Sequence, residues 1–119
     1  MRITRNVLVG AAVFASVSTA LAQFLGFMRD SAMSRMTAED VNLLVKNYTD
    51  ALNRLPDGHT NAWLNPKTGH SGTATPLRAV PDKGANCRLL EFTNQAGGQS
   101  GQGEFTFCKQ RDGSWKIPN

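Results

Sequence analysis

The fold is decided by residues 87–108, which have the sequence CRLLEFTNQAGGQSGQGEFTFC. This stretch begins and ends with the only two cysteines of the chain, and two adjacent glycines lie midway between them. If the two halves form one antiparallel hairpin with Cys87 opposite Cys108, the numbers of paired residues sum to 195. The turn then falls between Gly97 and Gly98, where glycines are favoured. The glycine positions therefore agree with the register that a cross-strand disulfide would impose.

The same register sorts the hairpin side chains onto two faces. Leu90 lies opposite Phe105, and Arg88 lies opposite Phe107. Phe92 joins this face, because alternate residues of a strand point to the same side. One face is therefore rich in large apolar groups that must be removed from water. We expect a helix to pack against it.

An amphipathic helix is predicted over residues 37–55. Thr37 followed by Asp40 is a variant of the capping box, in which the Thr hydroxyl accepts a free backbone N–H. Pro56-Asp57-Gly58 ends the helix. The apolar residues at helical spacing, which predict a buried stripe, are Val41, Leu44, Val45, Tyr48, Leu52 and Leu55.

Short apolar segments bounded by turn residues predict an antiparallel sheet after the helix. The predicted strands cover residues 62–65, 71–80, 86–93, 103–110 and 114–117. Pro76 predicts an edge position or a bend in the second of them. The loop 94–102 is rich in Gly, Ser and Gln and is expected to be mobile. The prediction is an α+β fold, with the helix packed on a small antiparallel sheet of four to five strands and one intrachain disulfide.

Residues 1–22 have the pattern of a secretory signal peptide. Arg2 and Arg5 are followed by an apolar run over residues 7–17 and by the small residues of Ala20-Leu21-Ala22. The run of about 11 residues is shorter than the roughly 20 that a membrane-spanning helix needs. We expect cleavage before Gln23, which lowers the formal net charge from +4 to +2.

The mature chain is predicted to hold one domain, residues 37–119, preceded by a lead-in over residues 23–36. The lead-in fits either a short helix or a loosely ordered segment. Its apolar residues at helical spacing are Leu25, Met28, Ala32 and Met36.

Cysteine usage points to an oxidising compartment. Cys87 and Cys108 are predicted to pair, because disulfides form and persist in exported proteins. Closing a loop of about 20 residues contributes roughly 3 kcal/mol. No cysteine directly follows the signal segment, so no lipid anchor is expected. The predicted location is the periplasm or the exterior, with outer-membrane association left open.

The sequence offers little for catalysis or metal binding. His59 and His70 fall in predicted loops, where we expect solvated side chains, and a metal site would need further ligands such as Asp57 or Asp82. Ser71 follows His70 directly, but neighbouring strand residues point to opposite faces. Basic residues are interspersed with acidic ones, which argues against nucleic-acid binding. We expect no enzymatic activity, no catalytic or metal-binding residues and no cofactor.

Three motifs point to a known family. They are Trp63-Leu64-Asn65-Pro66-Lys67-Thr68-Gly69 followed by Gly72 and Pro76, then Cys87-Arg88 followed by Glu91-Phe92, and lastly CKQRDGSWKI at 108–117. With these motifs, residues 63–117 resemble the C-terminal domain of the bacterial 17-kilodalton surface antigen family. The residues that carry the resemblance as a structural signature are Trp63, Asn65, Pro66, Gly69, Gly72, Arg88, Asp112, Gly113 and Trp115.

The resemblance implies a non-enzymatic, exported envelope or surface-associated protein that acts by binding. Its partner would be another envelope protein, a host protein or peptidoglycan. An inhibitor of an exported enzyme, inserting the loop 94–102, is the alternative. A small hydrolase that depends on His70 is a third class.

Overall fold

The computed structural model describes residues 32–118, which form one α-helix, two 3-10 helices and a five-stranded sheet. The helix α1 spans Ala38–Arg54, and the strands are β1 (Asn61–Leu64), β2 (Ser71–Ala79), β3 (Cys87–Ala96), β4 (Gln99–Lys109) and β5 (Trp115–Lys116). The 3-10 helices span Ala32–Arg35 and Pro81–Lys83. The predicted α+β architecture is confirmed. The signal segment and residues 23–31 of the lead-in lie outside the described residues.

The sheet is a meander in which each strand pairs antiparallel with the next, in the order β1-β2-β3-β4-β5. The predicted hairpin register is confirmed, with Cys87 opposite Cys108 and Leu90 opposite Phe105. The two cysteines form the predicted disulfide. No helix within residues 32–118 is long and apolar enough to cross a membrane.

The prediction of a mobile loop over 94–102 is wrong. The β3–β4 pairing continues to Ala96 opposite Gln99, which leaves only Gly97 and Gly98 in the turn. Their φ angles are 58° and 77°. A two-residue turn with positive φ at both positions matches the strand twist and requires residues that tolerate the left-handed region. Polar composition misled the prediction, because a paired strand at the end of a sheet needs no apolar side chains.

The helix begins at the predicted capping box. Asp40 N–H donates to Thr37 Oγ1 at 3.1 Å, and Thr37 N–H donates to Asp40 Oδ2 at 2.9 Å. The buried side of the helix differs from the prediction in one place, because Val45 is 41% exposed. The helix lies mainly over β1 and β2, which turns Asp40 and Asn47 inward instead.

The core lies between α1 and the predicted aromatic face of the sheet. Tyr48 stands over this face, with its ring centre 5.7 Å from that of Phe92 and 5.3 Å from that of Phe107. The buried apolar residues of the core are Ala51, Leu52, Ala74, Leu90, Phe92 and Phe107. Tilted and edge-to-face ring contacts add to the apolar burial that holds helix and sheet together.

Of the two alternatives predicted for Pro76, the bend is confirmed and the edge strand is wrong, because β2 pairs with β1 on one side and with β3 on the other. The β2–β3 register shifts between Pro76 and Arg78, and β1 pairs with β2 only as far as Ala74. Pro76 therefore lies at a bend in β2, beyond the last residue that pairs with β1. Its missing N–H removes no hydrogen bond between these two strands. Its carbonyl still accepts a bond from Gly58 N–H at 2.7 Å.

Arg88 closes the C-terminal end of the helix. Its guanidinium donates to the carbonyl oxygens of Leu52 at 2.8 Å and Leu55 at 2.9 Å, and pairs with Asp57 Oδ1 at 2.6 Å. Carbonyl groups at the end of a helix lack partners within the helix. The basic side chain from β3 supplies these partners and ties sheet to helix.

We expect Arg88→Ala to lower the free energy of unfolding by about 2–3 kcal/mol, because two carbonyls and a carboxylate lose a charged donor. Arg88→Lys should recover only part of this loss, since an ammonium cannot reproduce the planar fork. Urea unfolding measures both. Arg78→Ala is the matched control on the exposed end of β2 and should change stability by less than about 0.5 kcal/mol. Equal urea midpoints for Arg88→Ala and Arg78→Ala would contradict the helix-closing role.

Candidate functional site

Polar groups converge on Asp40, a carboxylate with 0% exposure at the N-terminus of α1. Oδ1 accepts from Asn65 Nδ2 at 2.8 Å and from Thr68 Oγ1 at 2.9 Å. Oδ2 accepts from Thr37 N–H at 2.9 Å and from His70 Nδ1 at 2.7 Å. Both oxygens are therefore fully used. We call Thr37, Asp40, Asn65, Thr68 and His70 the Asp40 cluster.

The loop between β1 and β2 presents three of these side chains. Asn65 Oδ1 accepts from Lys67 N–H at 3.0 Å, which is the Asx-turn geometry that a short polar side chain favours. Thr68 Oγ1 accepts from His70 N–H at 3.1 Å. Gly69 has a φ of 77° and donates its N–H to Asn65 O at 2.7 Å. The loop is compact and directs its side chains at the start of the helix.

The hydrogen bonds keep Asp40 ionised. Burial by itself raises the pKa of this carboxyl, but bonds from Thr37 N–H, His70, Asn65 and Thr68 outweigh burial and hold the pKa well below its usual range. The negative charge at the positive end of the helix dipole acts in the same direction. One ionised side chain thus holds helix and loop together.

His70 carries its proton on Nδ1, because a carboxylate only accepts hydrogen bonds. Nε2 accepts from Gly97 N–H at 3.3 Å. The side chain is 17% exposed. The prediction of a solvated loop histidine is wrong for His70, while His59 is exposed as expected. The acceptor lies 30 positions away on α1, so no local pattern could indicate it.

One sequence signal could have pointed to Asp40. Asp40 lies one helical turn before Leu44, on the same side of the helix as Ala51. Both Leu44 and Ala51 are buried. A carboxylate in line with core residues needs donors from elsewhere in the fold. Among residues 32–118, no group of three or more His, Cys, Asp or Glu side chains is arranged to hold a metal ion.

The tips of the β1–β2 and β3–β4 hairpins border an open depression of about 530 Å³. Its lining, which we call the hairpin-tip surface, is Thr68, Gly69, His70, Gln95, Ala96, Gly97, Gly98, Gln99 and Ser100. These residues offer hydroxyl, amide, imidazole and main-chain groups and no charged side chain. Such a lining can donate and accept hydrogen bonds to a polar partner.

A family model described as 17 kDa outer membrane surface antigen matches residues 50–116, more than half of the chain. The chain belongs to this surface antigen family. A 17 kDa surface antigen of Rickettsia bellii is 34% identical over 85 residues, and one of Rickettsia felis is 31% identical over 85 residues. Each alignment covers 71% of this chain and 54% of the relative. No solved structure matches the chain.

The family relationship places the chain among exported or surface-associated proteins. The chain spans about half the length of the curated relatives that it matches. The motifs that carry the resemblance in the sequence lie at three places in the structure. Asn65 and Gly69 build the loop of the Asp40 cluster, with Pro66 exposed between them, and Arg88 closes the helix.

Trp63 of β1 and Gly72 of β2 lie opposite each other, on the face of the sheet toward α1. Trp63 is 7% exposed. A Cβ placed on Gly72 would lie 2.5 Å from Trp63 Nε1 and 2.6 Å from Thr93 O. Only a glycine lets this ring and the next strand approach so closely.

The last motif lies at the β4–β5 turn and in β5. Asp112 Oδ1 accepts from Ser114 Oγ at 2.7 Å and Ser114 N–H at 2.9 Å, and these bonds lower the pKa of Asp112. Gly113 takes a φ of 88° in this turn. Trp115 Nε1 then donates to Asn53 Oδ1 at 2.9 Å, which joins β5 to α1. The residues of this last motif stabilise the fold, and none of them lines the hairpin-tip surface.

Proposed function

We propose that this protein is a non-enzymatic binding protein of the cell envelope, with the hairpin-tip surface as its contact face. The supporting observation is the Asp40 cluster beneath that surface. Its buried carboxylate holds the β1–β2 loop on the helix, and His70 extends the connection to Gly97 of the β3–β4 turn. A contact face held in place before binding loses less conformational freedom when a partner arrives.

The bonding of His70 argues against a hydrolase. Nδ1 donates to Asp40, and Nε2 accepts from Gly97 N–H. A general base needs a free nitrogen within reach of the proton that it removes. In this arrangement both ring nitrogens are engaged in holding the fold.

The lining favours a partner rich in neutral hydrogen-bonding groups. The paired residues Gln95 and Ser100 and the turn residues Gly97 and Gly98 are all exposed. Glycines leave main-chain groups open to a partner, because no side chain shields them. An envelope protein with an exposed main chain and the glycan of peptidoglycan both meet this description.

One observation supports the alternative function, which is inhibition of an exported enzyme. Residues 94–102 form a narrow hairpin tip in which every residue except Gly97 and Gly98 is paired across the hairpin, rather than a mobile loop. A rigid projection is better suited to fill an enzyme cleft than a flexible one, because less ordering is needed on binding.

A retention experiment tests the proposal. The chain without its predicted signal segment, residues 23–119, is immobilised and exposed separately to an envelope protein extract and to purified peptidoglycan sacculi. We expect one of the two to be retained. Gln95→Arg/Ser100→Arg should lower retention at least about ten-fold, because two buried unpaired charges oppose the contact. Its melting temperature should stay within about 2 °C of wild type, since both positions are exposed.

Ala85→Arg/Asn86→Arg is the matched control. It adds the same two charges at exposed positions at the other end of the sheet and should retain the partner as wild type does. Equal loss of retention in both variants would show that the contact face does not lie at the hairpin tips. No retention of either material by wild type would contradict the binding function. If the retained protein is an enzyme that loses activity on binding, the inhibitor reading replaces the general one.

A further inference from the structure

The sheet has two edge strands, which differ in their protection against pairing with another strand. β5 consists only of Trp115–Lys116, and Pro118 follows it closely. Short length, a lysine and a nearby proline are common means of keeping an edge unpaired. β1, Asn61–Leu64, contains neither a charged residue nor a proline. The edge formed by β1, which we call the β1 edge, is therefore open to a further strand.

The main-chain groups of the β1 edge can be assigned from the β1–β2 ladder. Asn65 N–H donates to His70 O at 2.9 Å, so the main-chain groups of Asn65 face β2. Inward and outward groups alternate along an antiparallel strand, so Trp63 faces β2 as well. The N–H and C=O groups of Ala62 and Leu64 consequently point away from β2, and both residues are exposed. They present a row of main-chain donors and acceptors to a partner.

The β1 edge is fixed to the helix before any partner arrives. Asn47 Nδ2 donates to Asn61 O at 3.1 Å, and Asn61 Nδ2 donates to Asn47 O at 3.2 Å. An open groove of about 330 Å³ lies between β1 and the helix, where Leu43, Lys46 and Asp50 line its helical side. A strand that is ordered in advance loses little conformational freedom when it pairs.

We propose that the β1 edge is the interface of a homodimer, in which the β1 strands of two copies pair antiparallel about a two-fold axis. Such an interface uses the same surface on both copies. The axis passes at Trp63, so that Ala62 of each copy lies opposite Leu64 of the other. Because both residues have outward main-chain groups, each pair exchanges N–H···O=C bonds in both directions. The two sheets join into one, with both helices on the same face.

The side chains of the β1 edge are complementary to their own copy. Ala62 and Leu64 point to the sheet face opposite to that of Trp63, because side chains alternate along a strand. Leu64 is 62% exposed, more than any other large apolar side chain among residues 32–118. The two-fold register sets each large Leu64 beside a small Ala62. The contact therefore removes exposed apolar surface from water without crowding.

The charges that flank the β1 edge are compatible with a second copy. The Lys46–Asp50 ion pair, at 2.7 Å, lies on α1 beside the start of β1. The Lys67–Glu39 ion pair, at 3.7 Å, lies beyond the end of β1. An antiparallel partner sets the start of one strand beside the end of the other. Each end carries one positive and one negative side chain, so the arrangement brings no excess of like charge together.

Sedimentation velocity and NMR test the dimer. The chain without its predicted signal segment is measured from about 10 µM to about 1 mM, because a short strand edge forms a small interface and a weak dimer. We expect the weight-average mass to rise toward that of two copies. The Ala62 and Leu64 amides should gain about three-fold protection against hydrogen exchange as the dimer forms. Trp63 N–H already faces β2 and should be equally protected at every concentration.

Two variants should weaken the dimer in different ways. Ala62→Pro deletes an outward N–H and removes no hydrogen bond to β2. Leu64→Glu places a charge where the apolar contact forms. Each should raise the dissociation constant of the dimer at least about ten-fold, because the change occurs twice in each dimer. Melting temperatures within about 2 °C of wild type at 10 µM establish that the variants are folded.

Val45→Glu is the matched control. It adds the same charge at the other exposed large apolar side chain among residues 32–118, outside the groove, and should change the dissociation constant by less than about two-fold. Sedimentation as a single copy at 1 mM would overturn the dimer. A dimer with unprotected Ala62 and Leu64 amides would exclude the β1 edge as its interface, as would equal weakening by Val45→Glu and Leu64→Glu.

The dimer and the binding function can fail separately. The β1 edge shares no residue with the hairpin-tip surface. Absence of retention on both envelope materials therefore leaves the dimer in place, and sedimentation as a single copy leaves the contact face in place.

Discussion

Replacing Asp40 with alanine is expected to lower the free energy of unfolding by about 3–5 kcal/mol, the loss typical of removing one partner from a buried charged network. Asn65, Thr68 and His70 would each lose an acceptor, and so would Thr37 N–H. The start of α1 and the β1–β2 loop are both held by these bonds. Urea unfolding followed by far-UV circular dichroism measures the effect.

Two variants calibrate this result. Asp40→Asn keeps the shape but replaces one acceptor oxygen with a donor, so its cost should lie between wild type and Asp40→Ala. Glu39→Gln changes the neighbouring, largely exposed carboxylate and should cost less than about 0.5 kcal/mol. If Glu39→Gln and Asp40→Ala unfolded at the same urea concentration, the central role of Asp40 would be excluded.

Acid unfolding should report the same carboxylate. The pKa of Asp40 is held below its ordinary value of 3.8 in the folded protein, so the unfolded chain binds the proton more readily. The stabilisation is therefore complete above about pH 4 and is lost as the pH falls through the folded-state pKa. Wild type should lose stability below pH 4 more steeply than Asp40→Asn, measured as urea midpoints between pH 2 and pH 6.

Removing the disulfide with Cys87→Ala/Cys108→Ala is expected to lower the free energy of unfolding by about 3 kcal/mol. The bridge links positions 21 residues apart and restricts the unfolded chain accordingly. For a domain of this size, the loss is a large part of a total of roughly 5–15 kcal/mol. Cys87 is also buried, so some apolar contact is lost in the folded state.

Reduction of wild type provides the internal control. Wild type in the presence of dithiothreitol should approach the stability of the double variant, while the double variant itself should not respond to reductant. The Leu90–Phe105 register should survive in the double variant, because the turn glycines and the aromatic face also specify it. Wild-type stability unaffected by reductant would contradict the assigned contribution.

The hairpin shows which parts of the fold local sequence can predict. Its register depends on neighbouring signals that agree with each other: two cysteines, a glycine pair between them and aromatic residues at alternate positions. The same holds for the start of α1, where Thr37 and Asp40 are three residues apart. Each of these features requires only that a short piece of chain pairs with itself.

Other features depended on where α1 lies on the sheet. Val45 fits the apolar spacing but is exposed, because the helix faces β1 and β2. Arg88 lies on the apolar face of the hairpin, yet its guanidinium donates a hydrogen bond to a carbonyl oxygen of the helix. Long-range partners such as these have no fixed spacing in sequence, so no pattern of residues could name them.

The sequence by itself determined the helix, the number of strands, the register of the β3–β4 hairpin and the disulfide that joins Cys87 to Cys108, because all of these arise from periodicity and turn chemistry over short distances. Only the tertiary structure decided that Asp40, His70 and Gly97 meet. Their contact requires the helix to dock on two hairpin tips. Burial of the Asp40 carboxylate costs free energy, and hydrogen bonds from donors that are far apart along the chain offset this cost.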